Sequence, residues 1–182
     1  MTSRDLVLGL DVSTSCVGLC LIEPSGKIVV LDNVDLTKIK SFNEKCDAVE
    51  NRLKSFRGQV KCFYIEECAK AFRPGHSSAN TLTTLSRFNG AVSCICHQLF
   101  GGDENLVNPV VARKAAGIAI DYKDKSKTTK DKIYEAVSSR ITFDWPKTKT
   151  GNVKPQCYDM ADAYVVAVFG LKNQSSVQTI TV

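Results

Sequence analysis

Three apolar runs crowd the first 31 residues, and the gaps between them leave room only for turns. Residues 6–11 and 17–22 are separated by the polar Ser13-Thr14-Ser15, and Pro24-Ser25-Gly26 leads the second run into residues 27–31. This spacing predicts three consecutive strands joined by hairpin-type turns. The rhythm then changes. Ser41-Phe42-Asn43-Glu44 has the form of a capping box, and Cys46, Val49, Leu53 and Phe56 recur at helical spacing until Arg57-Gly58. Residues 62–66 read as a fourth strand. Residues 80–99 are the longest periodic stretch, with Leu82, Leu85, Phe88, Val92, Ile95 and Leu99 on one face, and Gly90-Ala91 open to close approach by another element. Residues 106–109 read as a short fifth strand followed by a helix start at Val110. Thr128 starts a helix carrying Ile133, Val137 and Ile141, and Asp159 opens a last helix ending at about Leu171. Hairpin strands followed by alternating strands and helices predict one α/β domain with a mixed sheet over residues 1–172. A polar, frayed tail is expected over 173–182.

The chain is long enough, at 182 residues with 43% hydrophobic content, to bury a core without disulfides. No apolar run approaches the ~20 residues that cross a bilayer, and the first thirty residues do not read as a signal peptide. Eight cysteines include no C-x-x-C pair, and the histidines are two, His76 and His97. Cys20, Cys62 and Cys94 lie among apolar residues, so buried reduced thiols are expected rather than zinc or disulfides. That composition points to a reducing compartment, cytoplasmic or nucleoid-associated, or a host-cell compartment for a viral or phage protein. The net charge of +5 is unevenly placed: residues 113–154 carry +6, and the rest of the chain carries −1.

Four carboxylates stand at the ends of elements. Asp11 closes the first strand and Glu66 the fourth, while Asp159 and Asp162, three residues apart, share one face at the start of the last helix. Each has an ordinary reading: a cap for Asp159, a helix-dipole charge for Asp162, an exposed strand end for Glu66. Asp11 fits such a reading least, because its predecessors are apolar. Together, four acids on one spot would raise one another's pKa, a repulsion that divalent cations relieve. Oxygen ligands suit Mg²⁺ or Mn²⁺.

The order Gly9-Leu10-Asp11 with Ser13-Thr14, then Ile65-Glu66-Glu67, then Asp159-Met160-Ala161-Asp162-Ala163 resembles the RuvC-type Holliday junction resolvases of the ribonuclease H-like superfamily, over residues 6 to 170. The resemblance implies a five-stranded mixed sheet of order 3-2-1-4-5 flanked by helices. It also implies a structure-selective DNA endonuclease that resolves four-way junctions by paired symmetric nicks and leaves 5′-phosphates. Asp11, Glu66, Asp159 and Asp162 would bind two Mg²⁺ or Mn²⁺ ions, with Asp11 bridging them and Lys130 close to the site. The helix at 80–99 is similar to the element such enzymes use at a dimer interface, which implies a homodimer on branched DNA without a nucleotide cofactor.

The resemblance places Arg113 and Lys114 in a DNA-contacting stretch. An aromatic shortly after the glutamate stacks at the junction in such enzymes; Phe72 follows Glu66 by six residues, beside Arg73. Lys123, Lys125, Lys127, Lys147 and Lys149 read as contacts to backbone phosphate. Trp145 either stacks on an unpaired base or anchors the core. Three alternatives stand beside this reading. One is another ribonuclease H-like nuclease acting on flaps or RNA. Another is an actin-like or sugar-kinase phosphotransferase, whose first phosphate motif residues 8–15 also resemble, although such proteins need two domains. The third is a branched-DNA-binding protein without catalysis.

Overall fold

The computed structural model describes residues 5–68 and 79–178. Its sheet has five strands in the order β3-β2-β1-β4-β5. Strands β1 (Leu6–Val12), β2 (Cys16–Ile22) and β3 (Ile28–Asp35) form an antiparallel meander. Strands β4 (Val60–Glu66) and β5 (Leu106–Val107) then add in parallel on the other side of β1. Helices α1 (Phe42–Leu53) and α2 (Ala79–Phe100) cover one face, and α3 (Pro109–Ala115), α4 (Thr129–Ser138) and α5 (Gln156–Gln178) lie on the opposite side. The fold class is the one the sequence predicted, and the strand order is the one the resemblance implied.

Strand alternation sorts the side chains onto these two faces. On β1, Leu6, Leu8, Leu10 and Val12 enter the core shared with Val49 and Leu53 of α1 and Phe88 and Val92 of α2. Val7 points the other way, into the core shared with Met160, Ala163 and Ala167 of α5. Gly9 and Asp11 follow Val7 at the strand period of two. By the same period, Cys16, Gly18, Cys20 and Ile22 of β2, and Cys62, Tyr64 and Glu66 of β4, share the α5 side.

Small residues let α5 lie almost on the strands. A Cβ on Gly9 would collide with the backbone of Ala163 and Ala167, and one on Gly18 with the backbone of Asp159. We therefore expect Gly18→Ala to destabilise the protein by about 1–3 kcal/mol through overpacking. Urea unfolding would measure it, and an unchanged midpoint would show that α5 can retreat from β2 freely.

Three sequence expectations are corrected. The last helix begins at Gln156 and runs to Gln178, rather than from Asp159 to about Leu171. Its late turns are fastened, because Lys172 Nζ donates to the Ala115 carbonyl oxygen and Gln174 Nε2 to the Cys62 sulfur. A Cβ on Gly90 would meet nothing among the described residues, so the expected close approach by another element is not found there. Cys94, one turn later on the same face, is exposed rather than buried. All eight cysteines are free thiols, and burial pushes Cys96 up to about 12 and Cys62 to about 11. No helix among the described residues is long and apolar enough to cross a membrane.

Candidate active site

The parallel register of β1 and β4 sets Leu10 beside Ile65, which brings Asp11 and Glu66 to the same sheet edge. Asp11 also lies opposite Gly18, where the backbone of Asp159 in α5 packs tightly against the sheet. That contact lowers the start of α5 onto the strand ends and delivers Asp159 and Asp162, 8% and 4% exposed. The charges of Glu66, Asp159 and Asp162 therefore all bear on Asp11.

The electrostatics show this. Burial raises Asp11 well above the ordinary carboxylate range, and the charges of Glu66, Asp162 and Asp159 push the same way against Lys130. Glu66 rises to about 7, first from burial and then from Asp162, with Arg113 and Lys130 opposing. Asp162 rises to about 6 from burial, again against Arg113 and Lys130. Its Oδ1 is buried with no hydrogen-bond partner. An orphaned carboxylate oxygen in a field of like charge is costly to maintain without a cation.

Two basic residues reach into this field. Thr128 and Asp131 form a reciprocal capping box that fixes the first turn of α4. Lys130, in that turn, donates from Nζ to Asp159 Oδ1 at 2.8 Å. Burial works to lower the Lys130 pKa, but the bond to Asp159 and the neighbouring acids raise it overall. Arg113 comes from α3, whose start is set by Asn108 accepting from the backbone N–H groups of Val110 and Val111. The resemblance assigns Arg113 to DNA, yet its charge bears on both Glu66 and Asp162, and its Nε is buried without a partner.

Two further residues belong to the site although the sequence did not single them out. The Cys16 thiol hydrogen-bonds Asp159, and burial followed by the charge of Asp159 drives its pKa upward. Asn89, 5% exposed on α2, donates from Nδ2 to the Glu66 carbonyl oxygen at 3.1 Å and pins the end of β4. A polar residue between Phe88 and Val92 in an apolar stripe was the available signal for Asn89. Cys16 carried none beyond its place in the β2 alternation.

Among the described residues, no three His, Cys, Asp or Glu side chains stand close enough to enclose a metal ion as placed. The acids form a shared field rather than a finished cage. That field nonetheless fits a divalent cation, because the donors are all oxygen, mutually repelling, and include the unpartnered Asp162 Oδ1.

The remaining basic residues divide by role. Lys114, Lys123, Lys125, Lys147 and Lys149 are exposed, the last two on a tight loop where Lys147 bridges to Val153. Lys127 is exposed but paired with Glu135 at 2.6 Å. Trp145 is 7% exposed and packs edge-on against Tyr134 and Phe143. The core role left open by the sequence is thus the one its packing supports, and base stacking would require the ring to leave. Phe72 and Arg73 lie outside the described residues.

No protein-family model matches the chain, and no curated protein matches it by sequence. Solved structures do. RuvC of T. thermophilus in complex with a Holliday junction substrate is 14% identical, superposes with a TM-score of 0.65, and matches over 94% of this chain and 96% of its own. The fold is that of the RuvC-type junction resolvases. The yeast mitochondrial Holliday junction resolvase is also 14% identical, with a TM-score of 0.61, and matches over 97% of this chain and 82% of its own. The RuvC-type fold therefore accounts for nearly the whole chain, while the chemistry rests on the residues that the fold brings together.

If the site acts as a nuclease, Lys130→Met should slow it by ~10²-fold, the scale of losing one charged donor to a reacting group. Lys130→Arg should restore part of it. Single-turnover kinetics on a DNA substrate would measure both, and equal rates for Met and wild type would remove Lys130 from the site.

Proposed function

We infer that the chain is a divalent-metal-dependent endonuclease that resolves four-way DNA junctions by paired nicks. The observation that carries this reading is the convergence of Asp11, Glu66, Asp159 and Asp162 around an unpartnered, buried carboxylate oxygen, on a fold shared with junction resolvases. The four acids would hold two Mg²⁺ or Mn²⁺ ions, which when bound activate water for attack and neutralise charge at the phosphoryl group and the leaving 3′-oxygen. The product would carry a 5′-phosphate.

The chain's own residues supply the rest. Lys130 keeps Asp159 in place and presents a positive charge at the site entrance. Arg113 offers a second cation beside Glu66 and Asp162 for a phosphate oxygen. Lys114, Lys123, Lys125, Lys147 and Lys149 would track backbone phosphates without reading sequence, and Lys127 would join them only on leaving Glu135. Phe72 and Arg73 keep their place in this reading as contacts at the junction centre.

Symmetric nicking needs two sites. The exposed α2 face bearing Gly90 and Cys94 is the surface through which two copies would pair. The eight free thiols suit a reducing compartment.

The test is a cleavage assay on a labelled mobile four-way junction, a flap, a linear duplex and an RNA–DNA hybrid, with and without Mg²⁺ or Mn²⁺. Paired nicks on the junction that require the ion are expected. Preferential cutting of the hybrid or the flap would reassign the enzyme to another ribonuclease H-like activity, and cutting without added metal would overturn the mechanism.

A further inference from the structure

The cation Arg113 has a second neighbourhood. It lines, with Lys114, a cleft of about 330 Å³ whose apolar wall is formed by Val110, Ile118, Ile120 and Tyr122. No acidic residue lines this cleft. Among the described residues, the exposed large hydrophobics are Leu106, Val110, Val111 and Tyr122, between 45% and 59% exposed. All four belong to β5, α3 and the loop that follows. A concentration of apolar exposure in one segment of an otherwise well-buried chain marks a binding surface.

Both walls are fastened. Arg140 donates to the carbonyl oxygens of Ala116 at 2.6 Å and Gly117 at 2.8 Å, which closes the end of α3 at the cleft. Lys132 donates to the carbonyl oxygens of Asp121 at 2.7 Å and Asp124 at 2.5 Å, and so holds the loop on either side of Tyr122. Two residues of the basic segment are thereby committed to shaping the cleft rather than to contacting DNA. Tyr122 is an exposed ring on an anchored loop, which reduces the entropy lost when something stacks on it.

We propose that this cleft takes one unpaired nucleobase of the bound junction, stacked on Tyr122 against Val110 and Ile120, with its flanking phosphate on Lys114. The proposal rests on the nuclease reading above and names how its substrate is held. Two features select a nucleotide over a protein partner. The lining is largely apolar and includes two basic residues, Arg113 and Lys114, which suits a base beside its phosphate. Helix α3, which carries Arg113, starts directly after β5, whose Val107 pairs with Glu66, so the occupant lies beside the acidic site. Aromatic stacking accepts any base, so the cleft favours an unpaired nucleotide over a particular sequence.

Four-way junctions carrying a single abasic site at successive positions around the crossover test this directly. Binding is measured by fluorescence anisotropy without divalent cation, so that nothing is cut. Wild type should bind about tenfold more weakly when the abasic site occupies one particular position per strand, as expected for one lost base–aromatic stack. Tyr122→Phe should behave the same. Tyr122→Ala should bind the intact junction about tenfold more weakly and lose nothing further at that position.

Wild-type affinity for Tyr122→Ala, or a position penalty it retains, would overturn the proposal. So would a shift from dimer to monomer on sedimentation of Tyr122→Ala, which would make the cleft an interface between copies. If wild type cuts junctions and Tyr122→Ala matches it throughout, the cleft alone is refuted. A wild type that neither binds nor cuts any junction refutes the nuclease reading itself.

Discussion

Asp11→Asn should bind a four-way junction at least as tightly as wild type and cut it ~10³-fold more slowly, the loss expected when charge stabilisation at the reacting phosphate is removed. Asp11 is penalised by its surroundings: burial first, then the charges of Glu66, Asp162 and Asp159, raise it, with Lys130 opposing. Converting the carboxylate to an amide keeps the shape and removes a charge that would repel phosphate, so affinity is held or improved. The same substitution should stabilise the ion-free protein, at roughly 2–4 °C of Tm for each kcal/mol of repulsion relieved. Opposite signs for activity and stability are the signature of a functional acid, and thermal unfolding beside single-turnover cleavage would record both. Normal cutting by Asp11→Asn would remove it from the site. Lower Tm together with lost binding would mean that Asp11 supports the fold instead.

The second large effect is on pH. Glu66 titrates at about 7 and Asp162 at about 6 in the folded chain, both above their ordinary values near 4. Because the folded state holds these protons more tightly than the unfolded state, stability is greatest at low pH from these groups. It falls as pH rises from about 4 through 6 and 7, where the folded chain must give the protons up. Divalent ions compete for the same oxygens, so the stabilisation they confer should grow with pH across that window. Cleavage should climb between pH 6 and 7 and level off above it. Urea midpoints with EDTA or with Mg²⁺, at pH 5, 6, 7 and 8, measure the linkage. Parallel curves with and without Mg²⁺ would show that Glu66 and Asp162 do not take up the ion. Glu66→Gln should flatten the ion-free curve, since it removes the higher of the two titrations.

Cys16 and Asn89 show where a linear reading stopped. Period-two alternation told which strand residues share a face, so Asp11 and Glu66 could be paired as soon as β1 and β4 were placed side by side. Asp159 and Asp162 followed from helical spacing. These are short-range regularities, and one chain displays them openly. Asn89 joins Glu66 across 23 residues through a backbone carbonyl, an acceptor present at every position and therefore invisible as a signal. Cys16 meets Asp159 only because Gly18 admits α5 so closely. The basic segment was legible as a total but not as a division of labour. Lys132 and Arg140 turned out to brace backbone, Lys127 to pair with Glu135, and Arg113 to face the acids.

The sequence by itself determined the alternation of elements and the mixed sheet, and offered the four acids as candidates, because hydrophobic periodicity and strand-end position are local properties. Tertiary structure alone decided which charges face one another, where an apolar cleft opens beside them, and that Trp145 packs inward. Those depend on how near two distant segments come, and here that distance is set by the glycines that let α5 rest against the sheet.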